Sequence, residues 1–350
     1  LRRETLMSRL PVVLLSLFVL STTMDALAAD KDVTASETKK KESRRVFISL
    51  DDAGDEYPLQ GEYSGTVKAG SGEIKLGVQV IALGDGKFRA VAYPGGLPGD
   101  GWKKELLKYQ AEAQRDDDAI RFSLLGQGSG ELTSSGISIK NGEGDVIGEI
   151  PKVHRKSPTL GRKPPKGAVV LFDGSTAEHF KGGRMSEDKL LMEGATSKML
   201  FRDFKLHLEF RLPFKPFDRG QGRGNSGLYM QGRYETQILD SFGLEGKNNE
   251  CGGVYSISAP SVNMCLPPLV WQTYDIDFTE ARYDDAGKKV ENARMTVLLN
   301  GVKVHENLEL PRGTTAHPVK EGPEPGPIYL QSHGNPVRFR NIWVLPSKES

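Results

Sequence analysis

The feature that most constrains the fold is a strict alternation of apolar and polar residues over residues 204–211. The letters FKLHLEFR place an apolar side chain at every second position. Successive side chains of a β-strand point to opposite faces, so the stretch predicts a strand with one buried and one polar face. Forty glycines and twenty prolines favour short strands joined by turns over long helices. We therefore predict an all-β chain in which Leu206, Leu208 and Phe210 pack between two sheets.

Further local patterns divide the chain into strands. A second alternation at residues 273–278 predicts a strand that buries Ile276 and Phe278 in the same core. Three Asx-Gly pairs predict hairpin turns, because these residues tolerate the positive φ angles that tight turns need. The three pairs are Asp85-Gly86, Asn141-Gly142 and Asn300-Gly301. One short helix is predicted over residues 102–114, where Leu106, Leu107 and Gln110 mark a buried stripe.

The N-terminal residues have the order of a secretory signal peptide. Arg9 supplies positive charge, and residues 10–20 form an apolar run too short to span a bilayer. The Ala-Leu-Ala sequence at residues 26–28 is a small-x-small cleavage site. We therefore expect a signal peptide over residues 1–29 and a secreted or periplasmic protein with no membrane span after cleavage.

The remaining residues divide into segments of different composition. They are a charged, apolar-poor disordered spacer (30–45), a small mainly-β domain of unassigned role (46–151), a Pro/Lys-rich linker (152–167) and a β-sandwich domain (168–346). The net charge is +1, from 47 basic and 46 acidic residues, and this balance gives no argument for a nucleic-acid or anionic membrane partner.

The chain contains two cysteines, Cys251 and Cys265. Export to an oxidising compartment and an even cysteine count predict a disulfide between them, and two buried free thiols are the alternative. Two cysteines cannot form a four-thiolate zinc site by themselves.

The stretch GNSGLYMQGRYETQILDS at residues 224–241 contains the strongest candidate for a functional site. It predicts two strands joined by a short turn. Glu235 and Gln237 are two residues apart, so one strand places them on the same face. Asp240 would share that face only if a β-bulge interrupted the strand. Carboxylates and an amide on one sheet face can hydrogen-bond a sugar and supply an acid or a base, so the expected partner is a carbohydrate.

The order of several motifs resembles one known family. The motifs are LFDG, FKLHLEFR, GNSGLYMQGRYETQILD, the Trp271 strand, LLNG and LQSHGNPVRFRNIWVLP. In this order they are similar to the 3-keto-disaccharide hydrolase domain family, over about residues 169–345. The resemblance implies a concanavalin-A-like jelly roll and secreted carbohydrate chemistry. It also implies cleavage of glycosides already oxidised to a ketone at sugar carbon 3.

A 3-keto-glycoside suggests a reaction that needs a base, a proton donor and an oxyanion stabiliser. The ketone acidifies the hydrogen at carbon 2, so a base can remove it before the leaving group departs from carbon 1. Glu235 is the candidate base, and Asp240 or Glu209 is the candidate acid or orienting partner. His333 and Arg233 are candidates to stabilise the oxyanion, or His333 could bind a divalent metal that does so.

Other residues are candidates for binding the sugar. Asn225, Gln237 and Gln331 could hydrogen-bond it, and Trp271 could stack on a ring or pack in the core. Two other functions stay open at this point. A lectin-like carbohydrate-binding module needs no positioned carboxylates. A glucanase-type hydrolase of the same fold carries E-x-D-x-x-E, where this chain has Glu235-x-Gln237-x-x-Asp240.

Overall fold

The computed structural model of the chain describes residues 45–116, 119–123 and 128–347. The expected signal peptide and nearly all of the expected spacer therefore lie outside the described residues. The only helical elements among the described residues are two short 3₁₀ turns, Tyr57–Leu59 and Gly220–Gly222, so the predicted all-β class is confirmed.

The first part of the described chain is a closed antiparallel barrel of eight strands, accompanied by two very short paired strands, β4 and β5. The strands are β1 (Gly61–Ala69), β2 (Gly72–Gly84), β3 (Lys87–Pro94), β4 (Leu97–Pro98), β5 (Gly101–Trp102), β6 (Tyr109–Asp116), β7 (Ala119–Ser123), β8 (Gly128–Leu132), β9 (Gly136–Asn141) and β10 (Val146–Val153). Their order around the barrel is β1-β10-β9-β8-β7-β6-β3-β2. Buried side chains such as Tyr63, Phe88 and Phe122 fill the interior, as the inward positions of a small barrel do.

The helix predicted over residues 102–114 is wrong. β6 occupies Tyr109–Asp116 and pairs with β3, and a turn precedes it. Leu106 and Leu107 are exposed, so they form no buried stripe. Inward and outward side chains alternate along β6 from Tyr109 onward, and Ala111 and Ala113 point towards the barrel core.

The three predicted hairpins are present. Asp85-Gly86 joins β2 to β3, and both residues have positive φ. The turn at Asn141-Gly142 is longer than two residues, because β10 resumes only at Val146.

The second part of the described chain is a sandwich of two main sheets. Its strands are β11 (Val169–Phe172), β12 (Phe180–Lys181), β13 (Leu191–Met192), β14 (Ala195–Phe201), β15 (Phe204–Arg211), β16 (Ser226–Met230), β17 (Tyr234–Ile238), β18 (Trp271–Thr279), β19 (Arg282–Tyr283), β20 (Lys289–Glu291), β21 (Ala293–Leu299), β22 (Val302–Leu310), β23 (Gly326–Leu330) and β24 (Arg338–Pro346). The seven-stranded sheet has the order β11-β24-β15-β18-β21-β22, with β13 beside β24, and the five-stranded sheet has the order β12-β14-β23-β16-β17. The short pair β19–β20 stands apart, and Asn300-Gly301 joins β21 to β22 with positive φ at both residues.

The core lies between these two sheets, as the alternation predicts. Leu206, Leu208 and Phe210 of β15 are buried there with Ile276 and Phe278 of β18. Apolar residues of β16, β17 and β23 close the core from the five-stranded sheet. Polar side chains of both sheets therefore point away from the core, on two opposite outer faces of the sandwich.

The predicted disulfide is not present, because Cys251 and Cys265 are both free and buried. The two thiols are close enough to hydrogen-bond to each other. Other partners satisfy them as thiols, since Cys251 Sγ also meets Tyr274 Oη at 3.5 Å and Cys265 Sγ donates to the Leu239 carbonyl at 3.5 Å. The even cysteine count correctly indicates spatial neighbours, but they are unlinked core residues.

The barrel packs against two loops of the sandwich. The loop before β16 places Phe217 against Gly84, and its Arg219 donates to the Leu83 carbonyl at 2.7 Å. The loop after β17 places Phe242 in a small apolar cluster with Val91 and other residues on the outer side of β2 and β3. Both loops adjoin the strands that carry Glu235 and its neighbours.

The residues predicted as a linker follow β10 across the outer face of the seven-stranded sheet. Ser157 Oγ and Thr273 Oγ1 are hydrogen-bonded at 2.6 Å. Thr159 Oγ1 donates to Asp275 at 2.6 Å, and the Gly161 amide donates to Glu209 at 2.6 Å. Side chains of this sheet therefore hold the segment in place.

Candidate active site

The outer face of the five-stranded sheet carries the central candidate residue. β16 and β17 pair without interruption, with Tyr229 opposite Glu235 and Gly227 opposite Gln237. Because residues alternate along each strand, these four lie on the outer face, whereas Leu228 and Tyr234 point into the core. The prediction that Glu235 and Gln237 share a face is confirmed.

The Glu235 carboxyl is buried without a countercharge. The residue is only 3% exposed, and no cationic side chain of the described residues contributes to its pKa. Burial raises the pKa of this carboxyl from an ordinary 4.5 to about 7, although a hydrogen bond from the Tyr229 hydroxyl partly opposes the rise. Near neutral pH, both protonation states are therefore populated.

Gly227 makes room for this carboxyl. A Cβ at position 227 would lie 2.3 Å from Glu235 Oε1 and 2.9 Å from Tyr229 Cε2, closer than real atoms approach. The glycine is required here by close approach, since its φ is not positive.

A group of amides continues the polar surface beyond Glu235. Gln237 Nε2 meets Gln221 Oε1 at 3.3 Å, and Asn225 Nδ2 donates to the same oxygen at 3.1 Å. Asn225 Oδ1 is buried and accepts no hydrogen bond from the described residues. Immediately after the neighbouring strand β23, Gln331 Nε2 donates to Tyr229 Oη at 3.1 Å. Asn225 Oδ1 is therefore a buried acceptor that lacks a partner among the described residues.

Two flanking segments fix the backbone of Glu235. Its amide donates to Thr314 Oγ1 at 2.9 Å, and its carbonyl accepts from the Tyr255 amide at 3.2 Å. These contacts cover β17, which is the edge strand of the five-stranded sheet. The carboxyl therefore projects from a backbone that is held on both sides.

The structure does not bring Asp240 to Glu235. The pairing of β16 and β17 contains no bulge, so the interruption that would turn Asp240 to the same face is absent. Asp240 lies beyond the end of β17, where Arg223 Nε donates to its Oδ2 at 2.6 Å. Arg223 also donates to the Ala82 carbonyl of the barrel at 3.3 Å. Asp240 therefore belongs to the junction between barrel and sandwich.

Glu209 and Trp271 lie on the opposite outer face of the sandwich, on β15 and β18. Glu209 is 1% exposed and accepts from Arg340 Nε at 2.7 Å and Asn341 Nδ2 at 2.9 Å. The Trp271 ring has the Arg340 guanidinium 3.9 Å from its centre and Arg211 at 5.1 Å. The sandwich core separates both residues from Glu235, so they cannot act on the same bound sugar.

The two predicted oxyanion stabilisers are also placed differently from the expectation. The Arg233 guanidinium is buried in the turn before β17, where it donates to the Lys320 carbonyl at 2.9 Å and to Gln231 at 2.8 Å. His333 is exposed in the loop between β23 and β24, and its carbonyl accepts from Asn335 at 3.0 Å. Of the predicted polar residues, Gln237, Gln331 and Asn225 thus accompany Glu235 most directly.

Sequence reasoning missed Tyr229, Gln221 and Tyr329. Tyr229 lies opposite Glu235 in the hairpin, and the Tyr329 ring centre is 5.3 Å from that of Tyr229. Alternation along β16 could have placed Tyr229 beside Gly227 on the polar face. Gln221 lies in a loop, where the sequence has no periodic signal.

Neither a metal-binding cluster nor a membrane-spanning helix is present in residues 45–116, 119–123 and 128–347. They contain no group of three or more His, Cys, Asp and Glu side chains arranged to hold a metal ion. They also contain no helix long and apolar enough to cross a membrane.

The sandwich domain matches a known protein family. Residues 167–345 match the family described as "3-keto-alpha-glucoside-1,2-lyase-like domain". The chain belongs to this family. The membership supports a carbohydrate-active enzyme, and it covers the sandwich with the Glu235 face.

Solved structures similar to part of the chain were also found. Two similar chains are each described as a "putative glycosyl hydrolase" from Parabacteroides distasonis ATCC 8503. One is 31% identical with a TM-score of 0.47, over 52% of this chain and 85% of the other. The second is 19% identical with a TM-score of 0.38, over 52% of this chain and 95% of the other. No curated protein matches the chain.

Proposed function

We propose that this protein cleaves 3-keto-glycosides, with Glu235 as the base that removes the proton from sugar carbon 2. The observation that carries the proposal is the buried Glu235 carboxyl, which has no countercharge and a pKa of about 7. A buried, unpaired acid destabilises a fold, so its presence in a polar surface favours a catalytic role. The family to which the chain belongs supports the substrate class.

The proposed reaction begins with transfer of the carbon-2 proton to the Glu235 carboxylate. The electron pair of that bond moves towards the ketone at carbon 3 and forms an enediolate. The bond between carbon 1 and the leaving oxygen then breaks, and its electron pair leaves on that oxygen, which takes up a proton. The enediolate electrons re-form the ketone and make a double bond between carbons 1 and 2 that is conjugated with it. Water adds to carbon 1 and a proton returns to carbon 2, so the net result is hydrolysis.

One carboxyl can serve more than one of these steps. Asp240 and Glu209 lie elsewhere, so the proton accepted by Glu235 is the nearest one available to the leaving oxygen. A group with a pKa near 7 can both accept and return a proton at neutral pH. This shared use requires the carbon-2 hydrogen and the leaving oxygen to lie on the same side of the sugar, as in a β-glucoside. In an α-glucoside they lie on opposite sides, and the leaving oxygen would take its proton from water.

The surrounding amides would orient the sugar. Asn225 Oδ1 has no partner and suits a sugar hydroxyl donor. Gln237 and Gln331 offer further polar atoms on the same face. Tyr329, which is half-buried beside Tyr229, replaces Trp271 as the candidate for stacking on a sugar ring.

The experiment compares nitrophenyl 3-keto-glucosides with their unoxidised parents and measures nitrophenol release, with and without a chelator. We expect cleavage of the oxidised substrate and a loss of about 10²–10⁴-fold in kcat/KM in Glu235→Gln. The matched control is Glu209→Gln, which changes a buried glutamate on the opposite face of the sandwich. We expect it to leave the reaction within tenfold of the native rate at a temperature where circular dichroism shows it folded.

Three outcomes would contradict the proposal. Native activity in Glu235→Gln removes Glu235 from the mechanism. Cleavage of only the unoxidised glycoside favours the glucanase-type hydrolase. Sugar binding without any turnover favours the lectin-like module.

We also propose that the protein is exported, secreted or periplasmic, and begins near Ala29 after cleavage. The order of Arg9, the apolar run and the Ala-Leu-Ala site supports this. Sequencing the N-terminus of protein recovered from outside the cytoplasm tests it, and an intact leader on that protein would contradict it.

A further inference from the structure

Tyr229 connects Glu235 to the neighbouring strand. Its side chain is fully buried and lies directly across the hairpin from Glu235, and its phenolic hydroxyl faces that carboxyl and stabilises its ionised form. The phenol oxygen accepts from Gln331 Nε2 at 3.1 Å. Because the phenol oxygen already accepts from Gln331, its own hydrogen is left to point towards the carboxyl.

We propose that Tyr229 is the positioning residue for Glu235, holding the carboxyl over Gly227, and that Gln331 orients the phenol in turn. We assign its effect to Glu235, the carboxyl that lies opposite it in the hairpin. The kinetic part of this inference rests on the proposed function, whereas the titration of Glu235 does not.

The packing around the carboxyl supports this assignment. Gly227 leaves space that any Cβ would fill, so Glu235 and Tyr229 meet above the strand. The Tyr329 ring packs on Tyr229 and limits its movement from the other side. A phenol held on both faces can keep a hydrogen bond in a fixed direction.

The titratable groups that face Glu235 are uncharged phenols. The titratable groups facing this pair are the phenols of Tyr229 on β16, Tyr329 on β23 and Tyr255 on the loop after β17. The nearby basic groups are used elsewhere, since Arg233 bonds to Gln231 and Arg312 bonds to the Ser256 carbonyl. Burial therefore destabilises the carboxylate, and the Tyr229 hydrogen bond is the one side-chain interaction that opposes this.

Removal of the phenol hydroxyl therefore has a defined consequence. In Tyr229→Phe the carboxylate loses its donor, so the pKa of Glu235 rises further above its value of about 7. A hydrogen bond to a charged group is strong enough to move this pKa by about 1. At pH 7 the fraction of ionised base then falls about fivefold, and most of the activity returns at pH 9.

The test uses the full chain labelled with ¹³C at glutamate side chains. Glu235 is assigned as the signal that Glu235→Gln lacks, and it is titrated in the native protein, Tyr229→Phe and Gln331→Leu. We expect an upward shift of about 1 in Tyr229→Phe and a smaller shift in the same direction in Gln331→Leu. Tyr329→Phe is the matched control, because it removes a neighbouring phenol without removing the donor, and its titration should equal the native one.

An unchanged or lower pKa for Glu235 in Tyr229→Phe would overturn the inference, whatever the activity. The acid limb of kcat/KM should move upward with the titration. A pH-independent loss with an unmoved limb would instead assign Tyr229 a purely structural role. If the protein cleaves no glycoside, the proposed function fails, yet the titration still decides the positioning role.

Discussion

Glu235 and Glu209 are two nearly inaccessible carboxyls on opposite faces of the same sandwich, at 3% and 1% exposure. Their pKa values move in opposite directions. Burial raises the pKa of Glu235 to about 7, and one phenol partly opposes it. Burial also acts to raise the pKa of Glu209, but hydrogen bonds from His207, Asn341, Arg340 and the Gly161 amide outweigh it and lower the pKa to about 2.

The difference shows that burial by itself does not decide the direction in which the pKa of an acid moves. Glu209 is one member of a network that includes His207, whose Nδ1 meets Asp275 Oδ1 at 2.8 Å. Such a fully bonded carboxylate holds the segment from β10 to β11 in place and has no free lone pair for a substrate. Glu235 has few partners, so it is the one that can exchange a proton near neutral pH.

The largest effect expected from this comparison is on the Glu209 network. Glu209→Gln removes a charge that several donors share, and we expect the free energy of unfolding at pH 7 to fall by about 4 kcal/mol. The native pKa is depressed below its ordinary 4.5, so this stabilisation is complete above about pH 4.5 and is lost as the pH falls towards 2. Urea denaturation of both proteins at pH 7 and pH 3 measures it, and equal stability at pH 7 would refute the structural role.

The same substitution at Glu235 should increase the free energy of unfolding instead of lowering it. Its folded-state pKa is raised from 4.5 to about 7, so ionisation destabilises the fold as the pH rises through this window. We expect Glu235→Gln to be more stable than the native protein by about 3 kcal/mol above pH 8, with no difference near pH 4. Urea denaturation at pH 4 and pH 8.5 checks this. A variant that is less stable than the native protein at pH 8.5 would show that the Glu235 charge stabilises the fold, as the Glu209 charge does.

The smallest effect concerns Trp271. Its ring lies between Arg340 and Arg211, so Trp271→Leu loses a cation–π contact and should cost about 1 kcal/mol of stability. KM for the 3-keto-glycoside should stay at its native value, because the ring is on the Glu209 face. A tenfold increase in KM, measured by initial rates, would instead indicate that the sugar binds on the Glu209 face of the sandwich.

Much of the fold follows from local sequence because its signals are local. The alternation at residues 204–211 correctly predicts which side chains of β15 enter the core, and the Asx-Gly pairs locate three turns. The helix prediction for residues 102–114 is wrong because a contact distant in the sequence decides the structure of that segment. Pairing with β3 decides that segment, and the sequence of β6 by itself does not reveal its partner.

The candidate site was predictable along one strand but not between strands. A period of two places Glu235 and Gln237 together, and this needs no knowledge of the neighbours. The same period also places Glu209 and Arg211 on a polar face, but it cannot say that this face belongs to the other sheet. The partner of Asp240 lies on a loop that also touches the barrel, and that contact depends on the fold as a whole.

The attachment of the two loops to the barrel has a consequence for dissecting the protein. The family match begins at residue 167, yet Phe217 and Phe242 of the matched region pack on barrel residues, and Arg223 donates to Ala82. A protease that cuts between β10 and β11 would therefore leave two fragments that stay together without a covalent link. The sandwich produced without the barrel would expose both aromatic rings beside the strands that carry Glu235, and a shortened gene for this enzyme should begin before β1.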